Sequence, residues 1–588
     1  MVEASQLLQK AIELHQAGQW ADAIHCYQAA IQLQPTAIAH LNLGILLEQA
    51  DRSDEALASY TRAVELDPRG PAPQYHLGAA LEQRGRWPAA MVCFQTALAS
   101  QPAHGPSLAR LAALYKRQGN LAMAEQLLLR AVAAEPKRAG AHFDLANVLQ
   151  LERKWSEAIN AYRAAIELVP DYFEAHNNLA NALRENHELD DALACAQRAI
   201  ELSPTSAAAV CNLGVVLEDM GRLVEAQARY EQAISLDPGL AAAHNNLGTV
   251  LKHQGHVEQA IEEYERALQI DPGYPQARCS RGMARLSQGQ FEQGWADYEY
   301  RIGLPQFDTP SFPQPRWDGG PLDGRRLLIH SEQGLGDTIQ FVRYLKQVHA
   351  RAGQGSVIVA APERLLPLLA MSGCSGLVSK ELPLPPFDVH VPLMSLPYLF
   401  ETRLETIPRE IPYLAVESAR VDRWRGVVQR YPGFRLGIAW QGRPDFRGDS
   451  RRSIPLADFE PLARVPGVSV FSLQRGPGVE QSPATRGRFT VIEPSEPFDQ
   501  PGEAFLDTAA AMQALDLVIT SDTATAHLAG ALGVDVWVAL SFAPDWRWIL
   551  EGDSCPWYPS MRLFRQTRLG QWSGVLERMA GALRQLAS

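Results

Sequence analysis

The sequence predicts two architectures in series: an α-solenoid of about nine helical repeats over residues 1–301, then an α/β region with two parallel-sheet halves. Two observations carry this. Prolines recur at Pro35, Pro68, Pro102, Pro136, Pro170, Pro204, Pro238 and Pro272, first 33 and then always 34 residues apart. After Arg301 that period stops, and short β-branched runs alternate with helical stretches, the pattern of parallel strands covered by helices.

Composition narrows the function classes. The 588 residues are 46% hydrophobic and 20% charged, as in an ordinary globular chain. A formal net charge of −12 argues against a dedicated nucleic-acid surface. No apolar run reaches the ~18–20 residues of a membrane span. The start, "MVEASQLLQKAIELHQAG", lacks a basic-then-apolar leader and reads as an amphipathic helix. Seven cysteines form no CxxC pair, and Cys26, Cys93 and Cys195 share one repeat position, so they read as small packing residues. A cytoplasmic location is the expectation.

The repeat is built as follows. Before each proline stands the same kind of helix: "ADAIHCYQAAIQLQP", "VEAQARYEQAISLDP", "EQAIEEYERALQIDP". Upstream lies its partner: "AHLNLGILLEQ", "AHNNLANALRE", "AHNNLGTVLKH". Small residues mark close helix crossings: Gly44, Gly78, Ala112, Ala146, Ala180, Gly214 and Gly248 in one row. A second row runs Ala23, Ala56, Ala90, Ala124, Ala158, Ala192, Ala226 and Ala260. The proline ends the second helix. This text closely resembles the tetratricopeptide repeat. Eight full repeats span about 4–272, and a ninth, "ARCSRGMARLSQGQFEQGWADYEYR", is altered at its end and expected to cap the stack.

Asn42, Asn178, Asn212 and Asn246 share a position in the expected groove, with Asp144 in the same frame; His76 and Arg110 interrupt the series. An asparagine amide donates and accepts, so such a ladder can pair with an extended peptide backbone. The arrangement resembles the repeat domain of eukaryotic O-GlcNAc transferase, which implies a protein or peptide acceptor held there. The other reading is that these residues only solvate the inner helices or cap local turns. Trp20, Trp87 and Trp155 share another repeat position and are expected to fill core space.

Residues 302–324, rich in Pro and Gly, form a connector. The first α/β half is expected at 325–416 with strands "RLLIHS", "SVIVAA" and "FDVHVPL". A linking helix follows at 417–432. The second half, 433–588, offers "RLGIAW", "VSVFSLQ", "FTVIEP", "LDLVITS" and "VDVWVAL", and ends on the amphipathic helix "WSGVLERMAGALRQLA".

In open α/β sheets the ligand lies beyond the carboxyl ends of the strands. Three loops there could carry chemistry. The first, "HSEQGLGDT", brings Gln333, Gly334, Gly336 and Asp337 after a strand. A dinucleotide fingerprint needs a third glycine where Ile339 stands, and Asp337 puts negative charge where a pyrophosphate would sit. An acid at a helix start is held ionised. It either caps the helix or accepts a proton from an attacking hydroxyl. The second loop carries Arg443, Arg447, Arg451 and Arg452 within ten residues, a set suited to a diphosphate or simply solvated. Ser453 and Gln474 join the candidate donor set. The third, "SDTATAHLAGALG", puts Asp522, Thr523 and Ala524 at a helix start, where free N–H groups bind anions. His527 is one turn on, either structural or part of the site.

"GLGDTIQF" and "SDTATAHLAGALG" resemble the two signature stretches of heptosyltransferase-type glycosyltransferases (glycosyltransferase family 9-like). Residues 290–588, including "GWADYEYR", "APDWRW" and "WYPSMRLFRQ", resemble bacterial tetratricopeptide-linked glycosyltransferases. The resemblance implies a GT-B fold of two Rossmann-like halves. It implies that Asp337 is the base, that Asp522, Thr523, Ala524 and His527 contact the donor diphosphate, and that Arg451 or Arg452 also meets phosphate. The expected activity is glycosyl transfer from a nucleoside-diphosphate sugar to a hydroxyl, of Ser or Thr in a protein acceptor, with inversion following from the resemblance alone. No D-x-D pair stands at a strand end, so cationic side chains rather than a metal are expected to stabilise the leaving group, and no cofactor is expected. The rival from another class is a repeat scaffold whose α/β part no longer catalyses. Nucleotide, sugar and oligomeric state, a homo-oligomer included, stay open.

Overall fold

The computed structural model describes residues 2–588 apart from 308, 445–447, 495–497 and 500–503. It divides into two compact units, Met1–Gly221 and Arg222–Ser588. The division falls inside the seventh repeat, so the last repeats belong to the same unit as the α/β region.

Among the described residues eighteen α-helices, two to a repeat, precede the first strand, from Val2–Gln16 and Trp20–Leu33 to Pro275–Ser287 and Phe291–Tyr298. The small residues do what the period implies. A Cβ on Gly44 would stand 2.5 Å from the Tyr60 ring, and one on Gly78 would stand 2.7 Å from Phe94. The same geometry recurs in the second unit, where Gly248 meets Tyr264 at 2.7 Å. In these three repeats an aromatic ring of the second helix thus lies on the bare backbone of its partner, too close for a Cβ without a shift of the ring. The alanines of the second row are buried throughout.

The ninth repeat is not a solvent-facing cap. Its second helix is short, Phe291–Tyr298, and continues as a tight turn, Glu299–Arg301. Phe291, Trp295 and Tyr298 are buried in one apolar core with Trp546 and Trp557 of the α/β region. The Trp295 indole N–H donates to the Thr402 carbonyl at 3.0 Å. A cap needs a polar outer face. This repeat carries three aromatic rings instead, and large apolar rings are more stable packed against other rings than left in water.

The first α/β half holds β1 (Arg326–His330), β2 (Ser356–Ala361), β3 (Leu377–Ser379) and β4 (Val389–Pro392), all parallel, in the order β3-β2-β1-β4. Ile329 pairs with Val359 on one side and Val391 on the other. The helix Ser418–Val428 lies in the expected link. The second half holds β5 (Phe434–Ala439), β6 (Val468–Ser472), β7 (Leu517–Ser521), β8 (Val536–Leu540) and β9 (Met561–Arg565), also all parallel, in the order β6-β5-β7-β8-β9. Every residue of β7 and β8 is buried, as expected of strands covered on both faces. Two differences from the expected strands follow from length and context. "FTVIEP" contributes only a bridge from Ile492 to Phe471, while the short β3 and the edge strand β9 lack a strong apolar run of their own. The architecture is therefore a repeat solenoid followed by two parallel α/β sheets, a layout consistent with a GT-B fold. Among the described residues no helix is long and apolar enough to cross a membrane.

Both sheets reverse their winding at one strand. β1 has β2 on one side and β4 on the other; β5 has β6 on one side and β7 on the other. Such switch points open a crevice at the carboxyl ends of the strands. The three candidate loops leave β1, β5 and β7.

Candidate functional site

The loop after β1 is anchored by the last repeat. Glu332 and Arg301 form a buried ion pair at 2.8 Å, and Arg301 also donates to the Ser395 hydroxyl at 2.8 Å. The Gln333 amide donates to the Tyr298 hydroxyl at 3.0 Å. The Gly334 N–H then donates to Asp337 Oδ2 at 2.8 Å, which starts the helix Leu335–Phe341. So Asp337 does cap its helix, with one oxygen. Its other oxygen pairs with the Arg547 guanidinium. Expected to be held low, the Asp337 carboxyl is instead pushed up, because burial outweighs the pull of Arg547 and the nearby Asp545 carboxylate adds to the rise.

The two glycines differ. A Cβ on Gly334 would meet only the Asp337 carboxylate, at 3.2 Å. A Cβ on Gly336 would stand 2.9 Å from His527 Cδ2 and 3.3 Å from Ala524 Cα. Gly336 is therefore the point at which the loop after β1 presses on the helix after β7, and the two signature stretches, nearly two hundred residues apart, are in direct contact.

On the β7 side, Thr523 precedes the helix Ala524–Ala531 in extended backbone, and its side chain makes no capping bond. Its hydroxyl instead lies 3.3 Å from that of Thr520. Hence the first N–H groups of this helix are not consumed by a side-chain cap. Asp522 is pushed up to about 6, first by burial and then by Asp545, against the pull of the Trp548 indole, Arg452 and Arg547. An ionised Asp522 repels an anion at this helix start, whereas a protonated one can donate to it. His527 is buried, stacked on Trp548 with centroids 5.2 Å apart, and its Nδ1 lies 3.1 Å from the Tyr558 hydroxyl. Burial holds it well below the ordinary histidine range, so it is neutral. Its contacts are those of a packing residue.

The arginine loop divides. Arg452 pairs with Asp449 at 3.1 Å, and its charge acts on Asp337, Asp522 and His527. Arg451 lies 3.0 Å from His253 Nδ1, at the end of a repeat helix of the same unit, and its charge is felt there. Of the two, Arg452 faces the carboxylates. Arg443 is exposed on the same loop. Arg447 lies outside the described residues. The Ser453 hydroxyl donates to Asp449 Oδ2 at 2.7 Å and accepts from the Gly442 N–H at 3.1 Å. Buried Gln474 accepts from the N–H groups of Trp440 and Gln441 at 2.9 and 3.0 Å and donates to the carbonyls of Gln441 and Pro477 at 2.9 and 2.7 Å. It braces the loop and has little left to offer a ligand.

Arg547, in the loop after β8, is a site residue that the sequence motifs do not mark. It donates through Nε to Gln340 at 2.9 Å and through Nη1 to Asp545 at 2.7 Å, besides the pair with Asp337. Its only signal in the sequence is its place between two tryptophans in "APDWRW".

In the repeats the asparagines lace neighbouring repeats together. Asn178 donates to Asn147 Oδ1 at 3.0 Å and accepts from Asn177 at 3.3 Å; Asn212 donates to Asn177 Oδ1 at 2.8 Å. Asn42 faces the Tyr27 hydroxyl, and in the second unit Asn246 accepts from Asn245 at 3.1 Å. An amide has two N–H groups and two lone pairs, and the bonds of Asn178 and Asn212 given above use only part of them. The tryptophans are not core fillers: Trp20 and Trp87 are 43% and 38% exposed, and Trp155 is half-buried. Each begins the second helix of its repeat, where the ring lies along the surface.

Comparison with known proteins bears on the repeats. Models described as tetratricopeptide repeat match residues 8–71, 50–105 and 143–207, and a second such model matches 205–273. Protein FlbA of Caulobacter vibrioides is 32% identical over 303 residues, 48% of this chain and 50% of that protein. The chain thus spans about half the length of the curated relative it matches. Among solved structures, YrrB, described as a tetratricopeptide protein with an unusual peptide-binding site, is 24% identical with a TM-score of 0.27, covering 31% of this chain and 95% of its own. A tetratricopeptide repeat protein from Parabacteroides merdae is 18% identical with a TM-score of 0.32, covering 43% and 100%. Tetratricopeptide repeats commonly bind protein or peptide partners.

Proposed function

We propose that the chain is a glycosyltransferase that moves a sugar from a nucleoside-diphosphate sugar to a hydroxyl, of Ser or Thr in a protein segment held by the repeats. One observation carries this reading: the loops that leave strands β1 and β7 meet at Gly336, Ala524 and His527, and around that contact stand Asp337, Asp522, Arg452 and Arg547. A carboxylate beside an uncapped helix start, with cations close to both, is what proton removal and stabilisation of a departing diphosphate require.

In this reading Asp337 takes the proton of the acceptor hydroxyl as its oxygen attacks the anomeric carbon and the bond to the diphosphate breaks. Burial raises its basicity, and Arg547 fixes its orientation. Arg452 and the N–H groups from Thr523 onward hold the diphosphate, a task easier with Asp522 protonated.

The second reading, a non-catalytic α/β part behind a repeat scaffold, is favoured by the same ion pair: an Asp337 held by both Arg547 and Gly334 has no oxygen without a partner. Calorimetry with UDP-, GDP-, ADP- and dTDP-sugars, followed by transfer assays with the donor that binds, tests the two. Binding and transfer support the enzyme; no heat with any donor favours the scaffold.

A further inference from the structure

Within the first unit, the groove asparagines are interrupted at Arg110, and there the surface opens into a hollow of about 480 Å3. Its lining falls into two walls. Trp87 and Leu151, 38% and 58% exposed, form an apolar wall. Arg110, Lys116 and Arg117 form a basic one, the last two closing the helix Gly105–Arg117. Glu82 also lines the hollow but is neutralised by Arg110 at 3.0 Å. The Arg117 guanidinium lies over the Trp87 ring, 3.7 Å from its centroid, which joins the two walls. Asp144 of the next repeat feels the Lys116 charge.

Two repeats on, the equivalent region forms a second hollow of about 420 Å3, lined by Gln150, Arg153, Trp155, Asn181, Arg184 and Glu185. The shape recurs but the pattern of charge does not. Glu185 replaces Arg117, and Arg184 is neutralised by Glu185 and by Asp219 at 3.0 Å. Arg153 adds a cation to the second hollow, but the adjacent pair Lys116 and Arg117 is specific to the first, in a chain whose net charge is −12.

We infer that the hollow at Trp87 is a subsite for an extended protein segment in which an acidic residue adjoins an apolar one. Lys116 and Arg117 take the carboxylate, and Trp87 and Leu151 take the apolar side chain. This rests on the reading that the repeats hold a peptide, and it gives that peptide a chemistry. Charge complementarity carries the choice: a basic partner meets two like charges there, and a neutral one leaves them unpaired.

The test uses the full chain and fluorescein-labelled Ser/Gly peptides that differ at one place, carrying Glu-Leu, Gln-Leu or Lys-Leu, read by fluorescence anisotropy. The Glu-Leu peptide should bind roughly three- to tenfold tighter than the Gln-Leu peptide, the range of two exposed charge pairs, and the gap should shrink as salt is raised. Lys116→Glu with Arg117→Glu should reverse the order, so that Lys-Leu binds best. Asp144→Asn should tighten Glu-Leu binding, and Trp87→Ala should weaken all three. Equal binding of the three peptides, or an unchanged order in the charge-reversed variant, overturns the inference while leaving a peptide groove standing. No binding of any peptide overturns the inference and the peptide-groove reading together.

Discussion

The Arg547 guanidinium pairs with Asp337 across two loops that are 210 residues apart in sequence. It ties the loop after β8 to the helix after β1 and holds Asp545 with its other terminal nitrogen at 2.7 Å. One arginine therefore sets the position of two carboxylates, and its side chain is 8% exposed.

If Asp337 is the base, Asp337→Asn removes proton acceptance but keeps the shape of the loop. Transfer should fall by about 10²–10⁴-fold, while donor affinity measured by calorimetry stays within about twofold. Unchanged transfer by this variant would exclude the assignment.

Arg547→Met should destabilise the second unit by about 3 kcal/mol, because it strands Asp337, whose side chain is 22% exposed, without its cation, while the more exposed Asp545 adds little. Urea unfolding followed by tryptophan fluorescence reads this out. Arg547→Lys should recover part of the loss, since an ammonium restores the charge but not the fork of donors.

Gly336→Ala tests the contact of the two loops. The added methyl meets His527 at 2.9 Å and the Ala524 backbone at 3.3 Å, so the helices must part, at a cost of about 1–3 kcal/mol. Gly334→Ala meets only the Asp337 side chain and should cost less. Thermal melts rank the pair; equal losses would show that close approach is not what position 336 requires.

Asp522 gives a pH dependence. Its folded-state value, about 6, lies above the ~3.9 of an unfolded aspartate. The folded chain therefore binds more protons between those values, and this group's contribution to stability is present below about pH 4 and lost as pH rises through about 6. Asp522→Asn should be more stable than the parent above pH 6, by up to about 2 kcal/mol, and little different near pH 4. Urea midpoints at the two pH values measure it. For the same reason, pyrophosphate affinity of the parent relative to the asparagine variant, which cancels the titration of the ligand itself, should fall as pH rises through 6.

Periodic and β-branched text is enough to read the scaffold. A proline about every 34 residues, with glycine opposite the rings of Tyr60, Phe94 and Tyr264, fits a stack of helical pairs, because each pair leaves an apolar face for the next. Strands such as "LVITS" and "VWVAL" announce themselves because both faces are buried. The loops after β1, β5 and β7 are legible as site loops for a related reason: they follow the carboxyl ends of buried parallel strands, where an open α/β sheet binds its ligand. What the sequence leaves open depends on distance in space. That the ninth repeat buries Trp295 against Trp546, that Gln474 is spent on the backbone of its neighbours, that Arg452 and not Arg451 faces the carboxylates, and that Arg547 reaches Asp337 are facts of packing between segments far apart in the chain. Local propensity carries no information on such contacts. They arise when two sheets and the last repeats close on one another, and burial then decides which charges are paired and which pKa values move.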